Sequence, residues 1–368
     1  MRTSGEPRVA IVGGGLAGFT AHVTLRHIGV RDVIVFASER DPAEPFARRA
    51  TAIRQREMRS ESDGHCFPRN FPGLAVRDAL QRRSPGPLLG TITNCYRPSL
   101  DWFLQHVREL RERSGWDEAV VEGRVGRVRA VEGGFEVDGR GPFRHVLLAP
   151  GHPGPAIPAE LEGDARVVHA YDPHEYAREV AVVGAGMAAA TEWLNALAAG
   201  ATVTSVRRRE PARRPLNVAR PLFSKRGLAA FHATSHAHRA ELLTELSAPS
   251  YPEGRAWDEP VEQAAREGRF RVAERVDGAE QVICATGFAR GFRHNPLLAA
   301  LVDDHELEAV DRWIALDPDA SVPALTDENR TLALTGAPAQ WAYPAADTLV
   351  GMKWVARRFA RRVLCRTR

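Results

Sequence analysis

The sequence predicts an α/β protein in which two parallel-sheet units share one chain. Two short β-branched runs, Val9–Val12 and Val180–Val183, each lead into a glycine-rich turn and then a helical stretch. Such runs suit strands buried on both faces, the condition of a central strand in a parallel sheet. The other apolar runs supply a further observation. Val146–Leu148 lies between the two turns, and Val282–Cys284 and Thr331–Leu334 follow the second, so strands are available to complete two sheets. The expected stretches are residues 1–160, 165–280 and 281–368.

In the first unit the turn is Gly13-Gly14-Gly15-Leu16-Ala17-Gly18, followed by a helix from Phe19 to about Ile28. This is G-x-G-x-x-G between a strand and a helix, the setting that gives the pattern meaning. Gly13 permits the tight turn, and Gly15 lets the backbone approach a pyrophosphate. Gly18 lets the helix pack closely on the strand. Free N–H groups at the helix start, around Leu16 and Ala17, can then hold the phosphates of a dinucleotide. The next strand, Val33–Phe36, should be followed by an acid that accepts hydrogen bonds from a ribose. Ala37 and Ser38 stand there instead, and the first carboxylate is Glu39. Either Glu39 reaches the ribose or it is a solvated surface glutamate.

The second unit repeats the plan with Gly184-Ala185-Gly186-Met187-Ala188-Ala189 and a helix from about Ala190 to Ala199. Ala189 replaces the third glycine, where only close packing is asked. The following strand, Thr202–Val206, ends in Arg207-Arg208-Arg209 rather than in a carboxylate. A guanidinium at this place matches the 2′-phosphate of NADP, so Arg207 and Arg208 point to NADPH over NADH. Two dinucleotide units in one chain imply that one cofactor passes electrons to another.

Three further motifs carry a resemblance. Val146-Leu147-Leu148-Ala149-Pro150-Gly151-His152-Pro153 looks like the strand and turn that close the first part of the FAD domain in two-dinucleotide flavoproteins. Val282-Ile283-Cys284-Ala285-Thr286-Gly287-Phe288 looks like their ATG motif with its trailing phenylalanine. Between them, Gly163 to Tyr171, with His169, is similar to the monooxygenase fingerprint of a glycine followed by histidine and an aromatic. Together they resemble the flavin-containing and N-hydroxylating monooxygenases that use FAD and NADPH. Two departures stand out. The GGxW segment is replaced by Ala43–Pro98, which carries Arg59-Ser60-Glu61-Ser62-Asp63-Gly64-His65, and the fingerprint lacks its leading phenylalanine at Leu161 or Glu162.

The resemblance implies an NADPH domain inserted into a discontinuous FAD domain, with Thr286 and Gly287 near a cofactor. It also implies that the C-terminal helix, expected from Ala345 to Val363, starts against the flavin. Trp341, Tyr343 and Asp347 would then be cofactor or substrate neighbours. The reaction it implies is insertion of one oxygen atom from O2 into a small organic substrate through a C4a-(hydro)peroxyflavin. An NADPH-dependent reductase or oxidase with another acceptor, or a flavin-binding redox sensor without turnover, remains open. No redox CxxC is present for a disulfide reductase.

Composition bounds the rest. At 368 residues, 44% apolar and 26% charged, the chain can bury a sizeable core. No apolar run is long enough for a bilayer, and the N-terminus enters a strand pattern with no signal peptide, so a cytoplasmic protein is expected. The four scattered cysteines form no disulfide framework or zinc pattern. His232, His236 and His238 lie close together, with His232 and His236 at i, i+4, but lack a further ligand. Two basic stretches, residues 207–226 and 353–368, carry no nucleic-acid motif. The first is expected as a loop over the NADPH phosphate and the second as a solvated helix face. The oligomeric state is open, and a homodimer is compatible with the sequence.

Overall fold

In the computed structural model, residues 9–58, 65–68, 73–92, 96–213, 218, 220–251 and 254–365 are described. Arg59–Gly64, singled out above, lie outside them. Ten strands build the two main sheets, and the first four of these are β1 (Val9–Val12), β2 (Val33–Ala37), β3 (Val120–Glu122) and β4 (His145–Leu148). The next five are β5 (Val167–His169), β6 (Glu179–Val183), β7 (Thr202–Val206), β8 (Phe270–Ala273) and β9 (Gln281–Cys284). The last, β10 (Thr331–Leu334), returns to the first group.

These strands form two five-stranded sheets, both parallel throughout. The first has the order β10-β4-β1-β2-β3 and the second β8-β7-β6-β9-β5. In each, the strand before the glycine turn is central. Val9 pairs with Val33 on one side and His145 on the other, and Val180 lies between Val203 and Gln281 in the same way. Central strands have no edge and no wet face, which is why Val9, Ala10, Ile11, Val182 and Ile283 are fully buried. Strand order reverses direction beside each central strand, and that reversal opens the crevice where α/β folds take ligands.

Helix α1 (Leu16–His27) follows β1, and α2 (Met187–Ala198) follows β6, each beginning three residues earlier than the periodicity predicts. The C-terminal α3 (Leu349–Leu364) packs along α1. It starts four residues later than expected. Thr348 caps it by accepting a hydrogen bond from the Gly351 N–H at 3.1 Å, and Ala345–Thr348 is folded into a turn instead. A Cβ at Gly351 would lie 1.9 Å from the Ala345 carbonyl oxygen, so glycine is what lets that turn fold back on the helix.

Three sequence expectations change here. Strand β9 pairs inside the second sheet, so the chain returns to the first unit after Ala285 rather than at 281. His232 and His236 are not on one helix: Lys225–His232 ends, and His236–Leu246 begins under a Ser235 cap. The last helix is not a solvated basic face either. Lys353 is 1% exposed, and Arg358 lies over the Trp354 ring at 3.9 Å, because this helix covers α1 and uses its basic stems as packing. No described helix is long and apolar enough to cross a membrane.

Candidate functional site

The two glycine turns are built alike. Gly13, at φ +111°, and Gly184, at φ +135°, adopt backbone conformations that L side chains rarely take. A Cβ on Gly13 would fall 2.0 Å from the Ala149 carbonyl oxygen, and one on Gly184 would fall 2.5 Å from that of Ala285. Each turn is therefore pressed against the chain leaving the neighbouring strand. Gly15 and Gly186 are the opposite case, with nothing within 4 Å of their added Cβ. They face open space at the start of a helix. Neither α1 nor α2 has a side-chain cap or an acid in its first turn, whereas Ser99, Ser224, Ser235 and Asn295 each cap theirs. The N–H groups at Leu16, Ala17 and Gly18, and at Met187, Ala188 and Ala189, precede the first intrahelical bonds to Gly15 and Gly186. Each is a cradle of donors with room for a phosphate.

At the end of β2, Ala37 sits under the turn, where a Cβ on Gly14 would be 2.3 Å from its own. The contact requires glycine at position 14. Glu39 accepts a hydrogen bond from Arg48 through Oε1 at 2.9 Å, while its Oε2 is buried without a partner among the described residues. An orphaned buried acceptor beside the first cradle fits a ribose hydroxyl, since such groups are nearly always satisfied.

At the end of β7 the arginines divide. Arg207 is folded inward, with its side chain 10% exposed. It lies 5.4 Å from the Trp193 ring centre and bonds Glu210 at 2.7 Å. Arg208 is 88% exposed and only loosely paired, 3.6 Å from Glu160. Arg208 is thus more open to solvent than Arg207, as is Arg209. Trp193, which holds Arg207 in place, carries no pattern that would have marked it in the sequence.

Two linkers join the units and cross as an antiparallel pair, bridged at Pro155 and Phe288. The Gly287 carbonyl accepts from the Ala156 N–H and from His169 Nε2, both at 3.0 Å. His169 Nδ1 accepts from the Tyr171 N–H at 3.2 Å, so the ring is the neutral Nε2–H tautomer, in keeping with a pKa lowered mainly by burial. Thr286 donates its hydroxyl to the Ala156 carbonyl, which commits it to the linker. Phe288 stacks on His152 at 4.2 Å and on Tyr171 at 5.0 Å. The three motifs behind the resemblance therefore meet in one aromatic stack.

The turn after β10 closes the first site. Gly336, at φ +74°, would place a Cβ 4.0 Å from that of Ala17. Trp341 is buried between Arg239 and His236, and Tyr343 stacks on Trp354 at 4.6 Å. Both rings, with buried Ala345, are structural walls rather than open contact groups. Asp347 remains partly open, and its carboxyl is pushed up to about 6 by burial, with its own N–H, Gln340 and Arg290 opposing the rise. His232, His236 and His238 do not converge. They bond the Ala342 carbonyl, Glu308 and Glu241 respectively.

Solved structures share this architecture. The chain superposes on the ornithine N-hydroxylase of Kutzneria sp. 744 over 99% of its own length and 100% of that chain, with a TM-score of 0.74 and 15% identity. The ornithine hydroxylase of Pseudomonas aeruginosa matches over 96% and 99%, with a TM-score of 0.68 and 18% identity. The bacillithiol disulfide reductase of Bacillus cereus matches over 97% and 99%, with a TM-score of 0.58 and 16% identity. No protein-family model and no curated protein sequence matches the chain. At these identities the likeness fixes the fold, two Rossmann-like units in one chain. Because the same fold carries hydroxylases and a disulfide reductase, the chemistry has to be argued from the residues.

Proposed function

We propose that this chain is an FAD-dependent, NADPH-consuming monooxygenase that inserts one oxygen atom from O2 into a small organic substrate. The observation that carries the reading is the pair of open cradles, at Gly15 and Gly186, joined through a few residues of crossed linker. Gly15, Leu16, Ala17 and Gly18 would hold the FAD pyrophosphate and Glu39 its ribose. Gly186, Met187 and Ala189 would hold that of NADPH, with Arg208 at the 2′-phosphate. The Kutzneria structure contains reduced FAD, NADP+ and L-ornithine on the same fold, which supports the assignment of the two cradles.

Bound FAD would supply the means to accept hydride from a nicotinamide and to pass electrons to oxygen. The chain's own part is placement and exclusion of water. The buried turn Ala339–Ala346 walls the first crevice, and α3 begins there with backbone N–H groups that favour negative charge. Asp347, with a pKa near 6, can hold or release a proton at its carboxyl oxygens near neutrality.

Dithiol chemistry is disfavoured by a specific observation. Among the described residues, the Cys66 and Cys284 thiols are both buried, and burial pushes each up to about 11, so neither is a ready nucleophile, while the exposed Cys365 has no CxxC partner. A cytoplasmic setting suits free thiols and NADPH supply. The test is NADPH consumption by the FAD-loaded protein under 18O2, with product mass spectrometry over a panel of amines, sulfides and ketones. Incorporation of one labelled atom is expected. Turnover with stoichiometric peroxide and no labelled product would make it an oxidase.

A further inference from the structure

The second sheet shares almost no core with the first unit. Leu228, Phe231, Ala240 and Leu243, on the helices Lys225–His232 and His236–Leu246, pack in the first core although they lie between β7 and β8 in the chain. They are joined to the second sheet through the short paired strands Ala212–Arg213 and Ser250–Tyr251. What remains around β5–β9 and α2 forms apolar clusters of its own. Among the described residues packed into those clusters, Ile53 is the one that comes from outside residues 161–285.

Ile53 ends the helix Glu44–Ala52, where the last carbonyls have no partner within the helix. Asn195 of α2 donates its side-chain amide to the Ile53 carbonyl at 2.9 Å, so a helix of the first unit is capped from the second. The next residue, Arg54, stands at φ +50°, a left-handed place that glycine or asparagine takes at most helix ends. Its guanidinium lies 4.8 Å from the Tyr176 ring centre and 2.9 Å from Glu175. The exposed ion pair holds little by itself, and the cation over a half-buried ring adds to it. An arginine kept in a strained conformation points to a use for its side chain.

The receiving side is stiff. Tyr176 donates its hydroxyl at 2.8 Å to Glu192, which is fully buried on α2. His174 bonds the same carboxylate oxygen at 3.2 Å and faces the Asp172 carbonyl at 2.7 Å. Gln281, at the start of β9, accepts from the Ala177 N–H at 3.0 Å and donates to the Glu175 carbonyl at 2.8 Å. Beside these contacts a groove separates Ala47 and Thr51 from Pro173 and His174, so it is the end of the helix that bridges the gap.

Hydride transfer between groups held on two separate units is sensitive to their placement, and a misplacement of about 1 Å costs about a hundredfold. Linkers that cross at Pro155 and Phe288 fix one place and leave an angle free. A contact elsewhere sets that angle. We infer that Ile53, Arg54, Tyr176 and Asn195 form a latch that sets the angle between the two units, and that they are positioning residues for hydride transfer. This rests on the reading of the two cradles as FAD and NADPH sites.

The test uses the full chain loaded with FAD. Small-angle scattering is recorded before NADPH is added, and flavin reduction by NADPH is then followed by stopped flow without oxygen. Arg54→Gly combined with Asn195→Ala should lower the limiting rate of reduction about tenfold or more. It should leave the apparent Kd for NADPH and reduction by dithionite nearly unchanged, and broaden the scattering envelope. Arg54→Gly alone should slow reduction less and not lower the thermal midpoint, because glycine suits the left-handed place. A rate that falls while stability holds separates a latch from simple packing. Arg54→Lys, which keeps a cation over Tyr176, should recover much of the rate. Arg255→Gln, at an exposed site of the second unit, should change nothing.

An unchanged rate in the double variant overturns the inference, as does a slower rate with an unchanged envelope or a matching rise in Kd. If the double variant does not fold, Arg54→Gly alone decides by the same measurements. If NADPH fails to reduce the flavin of the unaltered chain, the cofactor reading fails first. Scattering of the variants then decides the latch separately, and an unchanged envelope overturns it.

Discussion

The two parallel-sheet units share a plan but differ in how tightly each helix meets its strand. At Gly18 an added Cβ would lie 1.9 Å from the Gly13 carbonyl oxygen and 3.2 Å from Ile11 Cγ2. At the equivalent place in the second unit, Ala189 keeps its Cβ and is fully buried, 3.6 Å from where a Cβ on Gly184 would stand. The first helix is clamped between its sheet and α3, and the second packs against the helix Arg255–Arg266. A motif position that looks conservative in sequence thus separates a close packing from a looser one. The ends of the second strands differ as well, with an orphaned carboxylate oxygen at Glu39 in one unit and an exposed guanidinium at Arg208 in the other.

The largest effect expected from this comparison is on cofactor content. Gly15→Val should leave a folded chain, because nothing lies within 4 Å of its Cβ, yet it should abolish FAD binding by filling the cradle. Gly186→Val should keep FAD, reducible by dithionite, and lose NADPH-driven turnover. Flavin content after gel filtration, with dithionite and NADPH reduction followed in the visible spectrum, checks both. Full flavin in Gly15→Val would break the assignment of the first cradle.

Next comes stability. Gly18→Ala forces a Cβ into backbone and should cost about 3 kcal/mol or more, since close-packed interiors give little. Ala189→Gly should cost only about 1 kcal/mol, the ordinary loss for glycine in a helix. Denaturant unfolding of the two variants measures the difference. Similar costs would show that the two helices are packed alike after all.

A smaller effect separates the arginines of the second unit. Arg208→Ala should weaken NADPH about tenfold and leave NADH nearly unchanged, as expected for one charge-assisted bond. Arg207→Ala should lower the stability of the second unit, because it uncovers Trp193. Steady-state KM values for both dinucleotides, with a thermal scan of each variant, distinguish the two roles. Equal losses of NADPH and NADH in Arg208→Ala would return that residue to a structural role.

Much of this was legible because it lies in local chemistry. The strands, both turns, their helices and the parallel sheets follow from β-branched runs and glycine spacing. Glu39 and the arginine run follow from what a ribose or phosphate needs. What the sequence hides is set by tertiary contact. Nothing adjacent to Arg207 shows that Trp193 will hold it inward, and nothing around Trp341 and Tyr343 shows that they will be walls. The same holds for β9, whose motif marks a change of domain but whose hydrogen bonds keep it in the second sheet.

The smallest effect expected bears on how the units differ, because His22 and His106 of the first respond to acid in the direction opposite to His174 of the second, whose other buried histidine, His169, sides with the first pair. In the first unit, His22 on α1 and His106 on the helix Leu100–Ser114 are both held at about 4, chiefly by burial. Folding therefore favours their neutral forms. Their contribution is complete above the unfolded value near 6.5 and is lost as pH falls from about 6.5 toward 4. His174 in the second unit behaves differently. Burial pulls it down, but its bond to buried Glu192 at 3.2 Å and the Asp172 carbonyl raise it overall. Its contribution is complete below about 6.5 and is lost as pH rises through the higher folded value. Mild acid should then loosen the first unit while the second holds. Hydrogen exchange at pH 5 should show protection lost first in β1, α1 and β4, with flavin released before β6 and β7 open. His106→Asn should delay that loss and raise the thermal midpoint at pH 5 by a few degrees relative to pH 7.5, since one such shift is worth about 1–3 kcal/mol. Glu192→Gln should act on the second unit alone and remove its resistance to acid. Simultaneous opening of both sheets at pH 5 would show that the crossed linkers couple the two units too strongly for their histidines to act separately.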